Sequence, residues 1–240
     1  WETMDSLPAP ECDDQCSFLY FQQNHGLAFK KASDSSGYLT YVSDPDHPVP
    51  YVTLPVIPKD NANSGWRWWL TADQRNASAR PDVLSLTSEV LTKPFTITGE
   101  PLMHLTAATT GTDGDFVVKL IDVYPDEVAS QPTMGGYQLM VSGNILRGRY
   151  RKSFEHPEPI PANEKQIYPV RLPMVNHTFL PGHRIMIQVQ SSWFPLYDRN
   201  PQTYVDNIMV APKEAYKPAT ISVDVSESWL ELHGSAQSAL

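Results

Sequence analysis

Glycine, cysteine and long apolar segments are scarce in this 240-residue sequence, which has 22 prolines but 12 glycines and 2 cysteines. No apolar run reaches the ~18 residues that span a bilayer, so the sequence does not indicate a membrane protein. No long segment repeats apolar residues at the i, i+3, i+4 and i+7 spacing of a capped helix. We therefore expect few, short helices, and the prolines favour short strands joined by rigid turns.

Positive charge is also in short supply, since 18 Lys and Arg face 27 Asp and Glu and give a net charge of -9. A nucleic-acid partner would require a basic surface, so this class of partner is not expected. The segment from Trp1 to Pro8 lacks the basic start and apolar core of a secretory leader. We interpret the chain as an excised fragment of a longer product.

The sequence lacks the motifs that would carry catalysis or bind a cofactor. There is no Gly-x-Ser-x-Gly pentapeptide of a serine hydrolase, and the 7 histidines form no His-x-x-x-His pair. Four aspartates could be considered for calcium, but Asp122 lies inside a predicted strand, and Asp113 and Asp115 lack the regularly spaced further oxygen ligands of a calcium loop. We expect these aspartates to cap turns or to pair with arginines, and we predict no metal and no cofactor: Asp113, Asp115, Asp122 and Asp126.

Strand-like runs, in contrast, recur from end to end with the two-residue period of half-buried strands. They predict an all-β fold, specifically a jelly-roll β-sandwich of the galactose-binding-domain-like kind. The apolar run 116–124 is expected in the centre, whereas an edge or solvent face suits Lys30, Lys31, Arg147, Arg149 and Arg151. The runs are 18–22, 27–31, 83–87, 95–98, 102–109, 116–123, 145–150, 166–172, 185–190, 208–211, 220–225 and 228–232.

These runs divide the chain into three parts. Residues 1–16 form an N-terminal lead-in, residues 17–233 the jelly-roll domain, and residues 234–240 a small, polar, frayed tail. Within the domain, residues of about 40–76 are rich in proline and poor in strand pattern. We interpret them as a long excursion over the sandwich, one of the few places where loops could carry function.

Two cysteines, Cys12 and Cys16, lie just before the first strand. A zinc site would need two further ligands, and no pair of His or Cys at zinc spacing lies nearby. A local disulfide would fit a periplasmic or secreted protein, and two inert thiols are the alternative.

Aromatic residues concentrate in two segments. Residues 65–70 carry Trp66, Trp68 and Trp69, which would be buried in an interface, contact an acyl substrate or stack on a sugar. A second segment leaves a strand at Gln188 and is stiffened by two prolines. It carries Trp193, Phe194, Tyr197, Asp198, Arg199 and Asn200.

Seven blocks in the same order carry a resemblance to a known family. Two of them read Tyr41-Val-Ser-Asp-Pro-Asp-His-Pro-Val-Pro50 and Phe194-Pro-Leu-Tyr-Asp-Arg-Asn-Pro-Gln-Thr203, and the others occupy 73–75, 80–84, 115–126, 147–151 and 179–192. They resemble the C-terminal jelly-roll domain of alpha-amino acid ester hydrolases, within the cocaine esterase and X-Pro dipeptidyl-peptidase family. Met134-Gly-Gly-Tyr137 and the Cys-x-x-x-Cys run point to the amino ester hydrolase branch, which includes glutaryl and cephalosporin acylases.

The resemblance implies a parent serine hydrolase with an α/β-hydrolase domain, a helical cap and this jelly roll. In that family a Ser–His–Asp triad on the first part performs acyl transfer, and residues 1–16 would lead in from that part. No triad residue falls in this chain, so the resemblance implies a non-catalytic role. The expected partner is the α/β-hydrolase domain of the same polypeptide, and a homo-oligomer is a further expectation.

The resemblance also suggests roles for the two aromatic segments. Trp66, Trp68 and Trp69 would help to wall the acyl pocket, while the loop 193–200 would dock on the hydrolase domain with a buried Asp198–Arg199 pair as a clamp. A carbohydrate-binding jelly-roll module is the alternative function. A third hypothesis is one polypeptide of a processed enzyme that works with a partner chain.

Overall fold

The computed structural model describes residues 16–33, 36–52 and 66–233, without the side chains of Trp66 and Arg67. Helical structure in these ranges is brief. One α-helix, α1, spans Arg75–Ser78, and 3-10 turns span Trp66–Thr71, Pro132–Met134, Gly148–Tyr150, Ile208–Val210 and Lys213–Ala215. Across these ranges no helix has the length and apolar character to cross a membrane.

Thirteen strands make up most of the described chain. They are β1 (Cys16–Phe21), β2 (Gly26–Ala28), β3 (Tyr38–Ser43), β4 (Leu84–Ser88), β5 (Phe95–Gly99), β6 (Leu102–Thr109), β7 (Asp115–Val123), β8 (Gln138–Arg147), β9 (Gln166–Arg171), β10 (Val175–Phe179), β11 (Arg184–Gln190), β12 (Ala219–Asp224) and β13 (Trp229–His233).

Eleven strands form one sheet in the order β3-β12-β6-β13-β1-β2-β4-β11-β7-β8, with β9 paired to β6. Strands β5 and β10 form a separate two-stranded sheet. Strands β2 and β4 pair in parallel, whereas the other pairs are antiparallel. The long sheet folds back on itself, because Phe116 of β7 stacks on Tyr168 of β9 with ring centroids 3.8 Å apart. The all-β sandwich predicted from the sequence is confirmed.

Alternating side chains explain which strands lie where. Strand β3 alternates exposed and buried residues, as a strand with one solvated face does. Strand β7 is buried along nearly its whole length, because β8 and β11 flank it and both of its faces are covered. The central position expected for residues 116–124 is therefore correct.

Four local expectations need correction or completion. Residues 208–211, predicted as a strand, form a 3-10 turn over Ile208–Val210, where the Asn207 side chain accepts a hydrogen bond from the Met209 N–H. The run 145–150 is the end of β8 followed by another 3-10 turn. Strand β3 lies partly within the expected excursion 40–76, and β10 was not predicted.

The strand register brings several loops to one end of the sandwich. The loops after β3, β6, β8 and β11 meet there, since Ser43 faces Ala219, Asp115 faces Arg147 and β11 ends beside the start of β7. The turn between β10 and β11, which contains Leu180, lies at the opposite end. We call the first of these the loop end.

The contact between Phe116 and Tyr168 should be worth several kcal/mol, because both side chains are fully buried. Substitution Phe116→Ala is expected to lower the free energy of unfolding by roughly 3–5 kcal/mol, since it leaves a cavity between the two halves of the sheet. Val42→Ala, at a side chain 52% exposed, is the control and should change it by about 0.5 kcal/mol or less. Urea unfolding followed by circular dichroism measures both, and equal effects would contradict the folded-back arrangement.

Candidate docking site

Among the large apolar side chains that the described ranges expose, five lie on loops at the loop end, and others, such as Ile167 and Leu180, lie elsewhere. Phe154 is 81% exposed, Met209 69% and Val210 77%, while Phe194 and Tyr197 are 37% and 38% exposed. We call these five residues the loop-end surface. Large apolar groups at such exposure are a usual sign of an interaction site when they occur together.

The central part of this surface, around Phe194, is fixed by backbone hydrogen bonds. The Phe194 N–H donates to the Val49 carbonyl at 3.0 Å, and the Phe194 carbonyl accepts from the Tyr51 N–H at 2.9 Å. The Tyr197 N–H donates to the Trp193 carbonyl at 3.0 Å. The peptide bond between Phe194 and Pro195 is cis. The loop is thus held on both of its sides.

Arg199 joins this loop to its neighbours. Its guanidinium lies 5.8 Å from the Phe194 ring centroid and 5.1 Å from that of Tyr216. It also donates to the Pro45 carbonyl at 2.8 Å and lies 3.7 Å from an Asp46 carboxylate oxygen. The expected buried pair with Asp198 is therefore wrong: Asp198 is exposed, and Arg199 turns toward the segment after β3 instead.

Beneath the surface lies a buried ion pair between Asp113 and Arg149. The Asp113 side chain is 0% exposed and that of Arg149 4%. The guanidinium donates twice to one carboxylate oxygen, at 2.9 and 2.6 Å. Its Cζ also lies 4.6 Å from the Tyr204 ring centroid. The pair therefore connects the β6–β7 turn to the 3-10 turn after β8, and the Tyr204 ring adds the loop that follows β11.

A second buried carboxylate, Asp115, holds the same loop at another point. It accepts from the Arg147 guanidinium at 3.1 and 3.2 Å and from the Asn200 amide at 2.9 Å. Burial raises the pKa of Asp115 to about 6, against the opposing effects of Arg147 and Asn200. The Asn200 side-chain oxygen accepts from the Gln202 backbone N–H, and the Gln202 side-chain amide donates to the Ser43 hydroxyl at 2.8 Å.

Two of the three arginines expected on an edge or solvent face are buried. Arg149 and Arg151 are 4% and 9% exposed, because β8 ends at Arg147 and the 3-10 turn that follows carries both inward. Arg151 donates to the carbonyls of Glu158 and Pro159 at 3.1 and 3.0 Å.

The aspartates that were expected to pair with arginines do so at Asp113 and Asp115. Asp122 instead lies between His183 at 2.7 Å and His177 at 2.9 Å. Across residues 16–33, 36–52 and 66–233, no three or more His, Cys, Asp or Glu side chains are grouped to hold a metal ion.

Other histidine rings also bond to carboxylates, that of His104 to Glu231 at 3.0 Å and that of His47 to Asp44 at 2.8 Å. His233 Nδ1 lies 3.9 Å from Cys16 Sγ. Cys16 is disulfide-bonded. Cys12 lies outside the described residues, so its pairing with Cys16 stays a prediction.

The tryptophan segment packs against the loop rather than standing free. Trp69 is 9% exposed and meets Trp193 edge-on, with ring centroids 5.5 Å apart, and Tyr51 at 6.0 Å. Trp68 is half-buried against the same cluster, whereas the Trp66 side chain lies outside the described residues. Of the six expected docking residues, Trp193 and Asn200 are buried inside the domain, and Phe194, Tyr197 and Asp198 face outward.

Sequence reasoning missed Met209, Val210 and Phe154 as parts of the surface, and it missed the pairing partner of Arg149. Met209 and Val210 were predicted to lie in a strand, whose backbone would be hydrogen-bonded to a neighbouring strand. The only local signal was the absence of charge between Asn207 and Pro212.

The fold defines a β-sandwich domain, and its loop end carries exposed apolar side chains above buried ion pairs. Comparison with known proteins agrees, since residues 1–222 match the X-Pro dipeptidyl-peptidase C-terminal non-catalytic domain. The chain belongs to this family, as the non-catalytic C-terminal domain found in alpha-amino acid ester hydrolases and cocaine esterase.

Three relatives place it more closely. A solved alpha-amino acid ester hydrolase is 51% identical, with a TM-score of 0.87 over 91% of this chain and 36% of its own. An aminopeptidase from the marine sediment archaeon Thaumarchaeota archaeon is 49% identical, with a TM-score of 0.87 over 92% of this chain and 37% of its own. Cocaine esterase of Rhodococcus sp. (strain MB1 Bresler) is 40% identical over 68% of this chain and 26% of its own. The chain thus spans roughly a quarter to a third of the length of these relatives.

Breaking the buried pair should cost much more than breaking a surface pair. We expect Arg149→Met to lower the free energy of unfolding by about 3–5 kcal/mol, because it leaves Asp113 charged and unneutralised in the interior. Arg171→Met removes a pair with Glu100 at 3.4 Å whose arginine side chain is 53% exposed. That control should cost ~0–1 kcal/mol. Denaturant unfolding distinguishes them, and similar losses would refute the structural role of the network.

Proposed function

We propose that this chain is the docking domain of a larger serine hydrolase and binds an α/β-hydrolase catalytic domain through the loop-end surface. The observation that carries the proposal is the pairing of exposed rings with a rigid, buried support beneath them. Phe194 and Tyr197 are exposed, while Asp115 and Asn200 fix the loop that bears them. A preorganised surface loses little conformational entropy on binding, which favours a permanent partner.

The length of the relatives supports the choice of partner. In the alpha-amino acid ester hydrolase and the archaeal aminopeptidase, the region similar to this chain covers 36% and 37% of the polypeptide. The remainder is long enough for a separate catalytic domain. We infer that the parent of this chain hydrolyses esters or amides or transfers acyl groups, with the nucleophile supplied by that remainder.

The tryptophan segment is proposed to reach the acyl pocket of the same partner. Trp69 anchors it against Trp193, which directly precedes Phe194. The segment is therefore adjacent to the docking loop, and Trp68, which is only half-buried, has surface left for a contact. Because Trp69 is buried edge-on to Trp193, it offers no free ring face to a sugar.

Docking is tested with the two parts of the gene product made separately, this chain and the polypeptide encoded beside it. The double substitution Phe194→Ser and Tyr197→Ser is expected to weaken their association at least tenfold, because aromatic side chains dominate such interfaces. Leu180→Ser, at a side chain 51% exposed at the opposite end, is the matched control and should leave the dissociation constant unchanged. Isothermal titration calorimetry measures both.

Three results would overturn the proposal: no association, equal weakening by the control, or a gene that encodes no hydrolase sequence beside this chain. The chain alone should not hydrolyse p-nitrophenyl or amino acid esters. A saccharide-specific change in tryptophan fluorescence would instead favour the carbohydrate-binding alternative.

We also propose a periplasmic or secreted location, which rests on a disulfide between Cys12 and Cys16. Protein purified without reductant should be 2 Da lighter than the reduced form, from the two hydrogens lost on oxidation, in intact-mass spectrometry. Free thiols at both positions under oxidising conditions would remove the support for this location.

A further inference from the structure

One lysine lies in the interior without a carboxylate. Lys119, in the middle of β7, is 0% exposed and sits between Gly143 of β8 and Gln188 of β11 in the strand register. No salt bridge joins it to any acidic side chain of the described ranges. A buried ammonium without a counter-ion is costly, so its retention calls for a physical reason.

The partners of Lys119 come from the two aromatic segments. Its Nζ donates to the Gln74 side-chain oxygen at 2.9 Å and lies 5.0 Å from the Trp193 ring centroid. Gly143 makes room for this arrangement, since a Cβ there would approach Trp193 Cη2 to 3.2 Å and Lys119 Cγ to 3.4 Å. The Lys119 ammonium therefore contacts both the loop 193–200 and the end of the tryptophan segment.

Gln74 is itself a junction. Its carbonyl accepts from the Ala77 and Ser78 N–H groups at 3.0 and 2.9 Å, and its N–H donates to the Gln138 carbonyl at 3.0 Å. Residues 66–79, which we call the covering segment, are thus tied to the sheet at Gln74. Two buried acceptors nearby, the side-chain oxygens of Gln188 and Gln190, have no hydrogen-bond partner.

We propose that Lys119 is a positioning residue whose proton controls how firmly the covering segment and Trp193 are held together. The charged form attracts both the Gln74 oxygen and the face of the Trp193 indole. The neutral amine keeps a weaker hydrogen bond and loses the attraction to the ring, but it removes the cost of burying a charge, and that cost is the larger effect. The inference concerns the fold of this chain alone and stands whether or not the chain docks on a hydrolase.

The surroundings of Lys119 fit such a role near neutral pH. Burial lowers the pKa of the Lys119 ammonium to about 7. The described elements packed around it present Gln74, Gly143, Gln188 and Trp193, none of which titrates in this range. Asp73 and Arg75, which flank Gln74, bond to each other, and the Arg75 side chain is half exposed.

The sign of the effect on stability follows from linkage. An unfolded lysine has a pKa of ~10.4, so between pH about 7 and 10 the unfolded chain binds the additional proton. The contribution of Lys119 therefore makes the free energy of unfolding rise with pH across this window. Lys119→Met should abolish that rise, while the exposed-residue control Lys30→Met should retain it.

The test is a pH titration of the whole 240-residue chain by NMR. The Lys119 side-chain carbon signal is expected to titrate with a midpoint near 7, and the Trp193 indole N–H signal should shift with the same midpoint. In Lys119→Met the Trp193 shift should vanish, whereas Lys30→Met should keep it.

Hydrogen exchange provides a second measurement that a merely space-filling lysine would not affect. Amides of Ala77 and Ser78 are expected to exchange more slowly above the midpoint than below it, by roughly tenfold or more after correction for the intrinsic pH dependence, because an opening that exposes Lys119 to water is favoured by its proton. Gln74→Leu should remove this step while the Lys119 titration persists. A Lys119 midpoint above pH 10, or a Trp193 shift that survives Lys119→Met, would overturn the proposal; the midpoint is measured on the unsubstituted chain and needs no variant.

Discussion

The loop end depends on one interaction, the buried pair of Asp113 and Arg149. Both side chains are almost inaccessible, and their two short hydrogen bonds cross from the β6–β7 turn to the segment after β8. Such a pair adds little net stability relative to apolar residues of the same volume, but it admits a single geometry. The Tyr204 ring on the guanidinium and the Asp115–Asn200 bond extend that geometry into the loop that carries Phe194. The buried hydrogen bonds thus fix the shape of the exposed surface.

How much of the fold could be predicted from the sequence depends on whether the residues that interact are close together or far apart in the chain. Strand β7 was predictable because its signal is local: a run of apolar residues such as Val117, Val118 and Leu120 has to be buried. Strand β10 was not, since its Asn176 and Thr178 gain their strand conformation from pairing with β5, 80 or so residues earlier in the chain. The strand predicted over 208–211 was wrong for the opposite reason: the apolar residues there have no neighbouring strand to pair with.

The arginines show the same limit at the site. In sequence, Arg147, Arg149 and Arg151 alternate as residues on the outer face of an edge strand do. The strand ends at Arg147, however, and a 3-10 turn reverses the direction of the next two side chains. Their carbonyl and carboxylate partners are set by tertiary packing. The lysine in the apolar run of β7 was a clearer signal, because a lone cation between valine and leucine must be either exposed or specifically held.

Two polar clusters in the interior lie under the same loop, while a third, of Asp122 with His177 and His183, lies at the opposite end. Asp115 and Arg149 hold its distal part, while Lys119 contacts its first residue, Trp193. A sandwich core of apolar residues already supplies cohesion through side chains from nearly every strand. If the buried charges served stability alone, the free-energy cost of removing them from water would not be offset. Directional bonds beneath this loop fix its geometry, because apolar packing tolerates small shifts that directional bonds do not, and the proposed docking would use that fixed geometry.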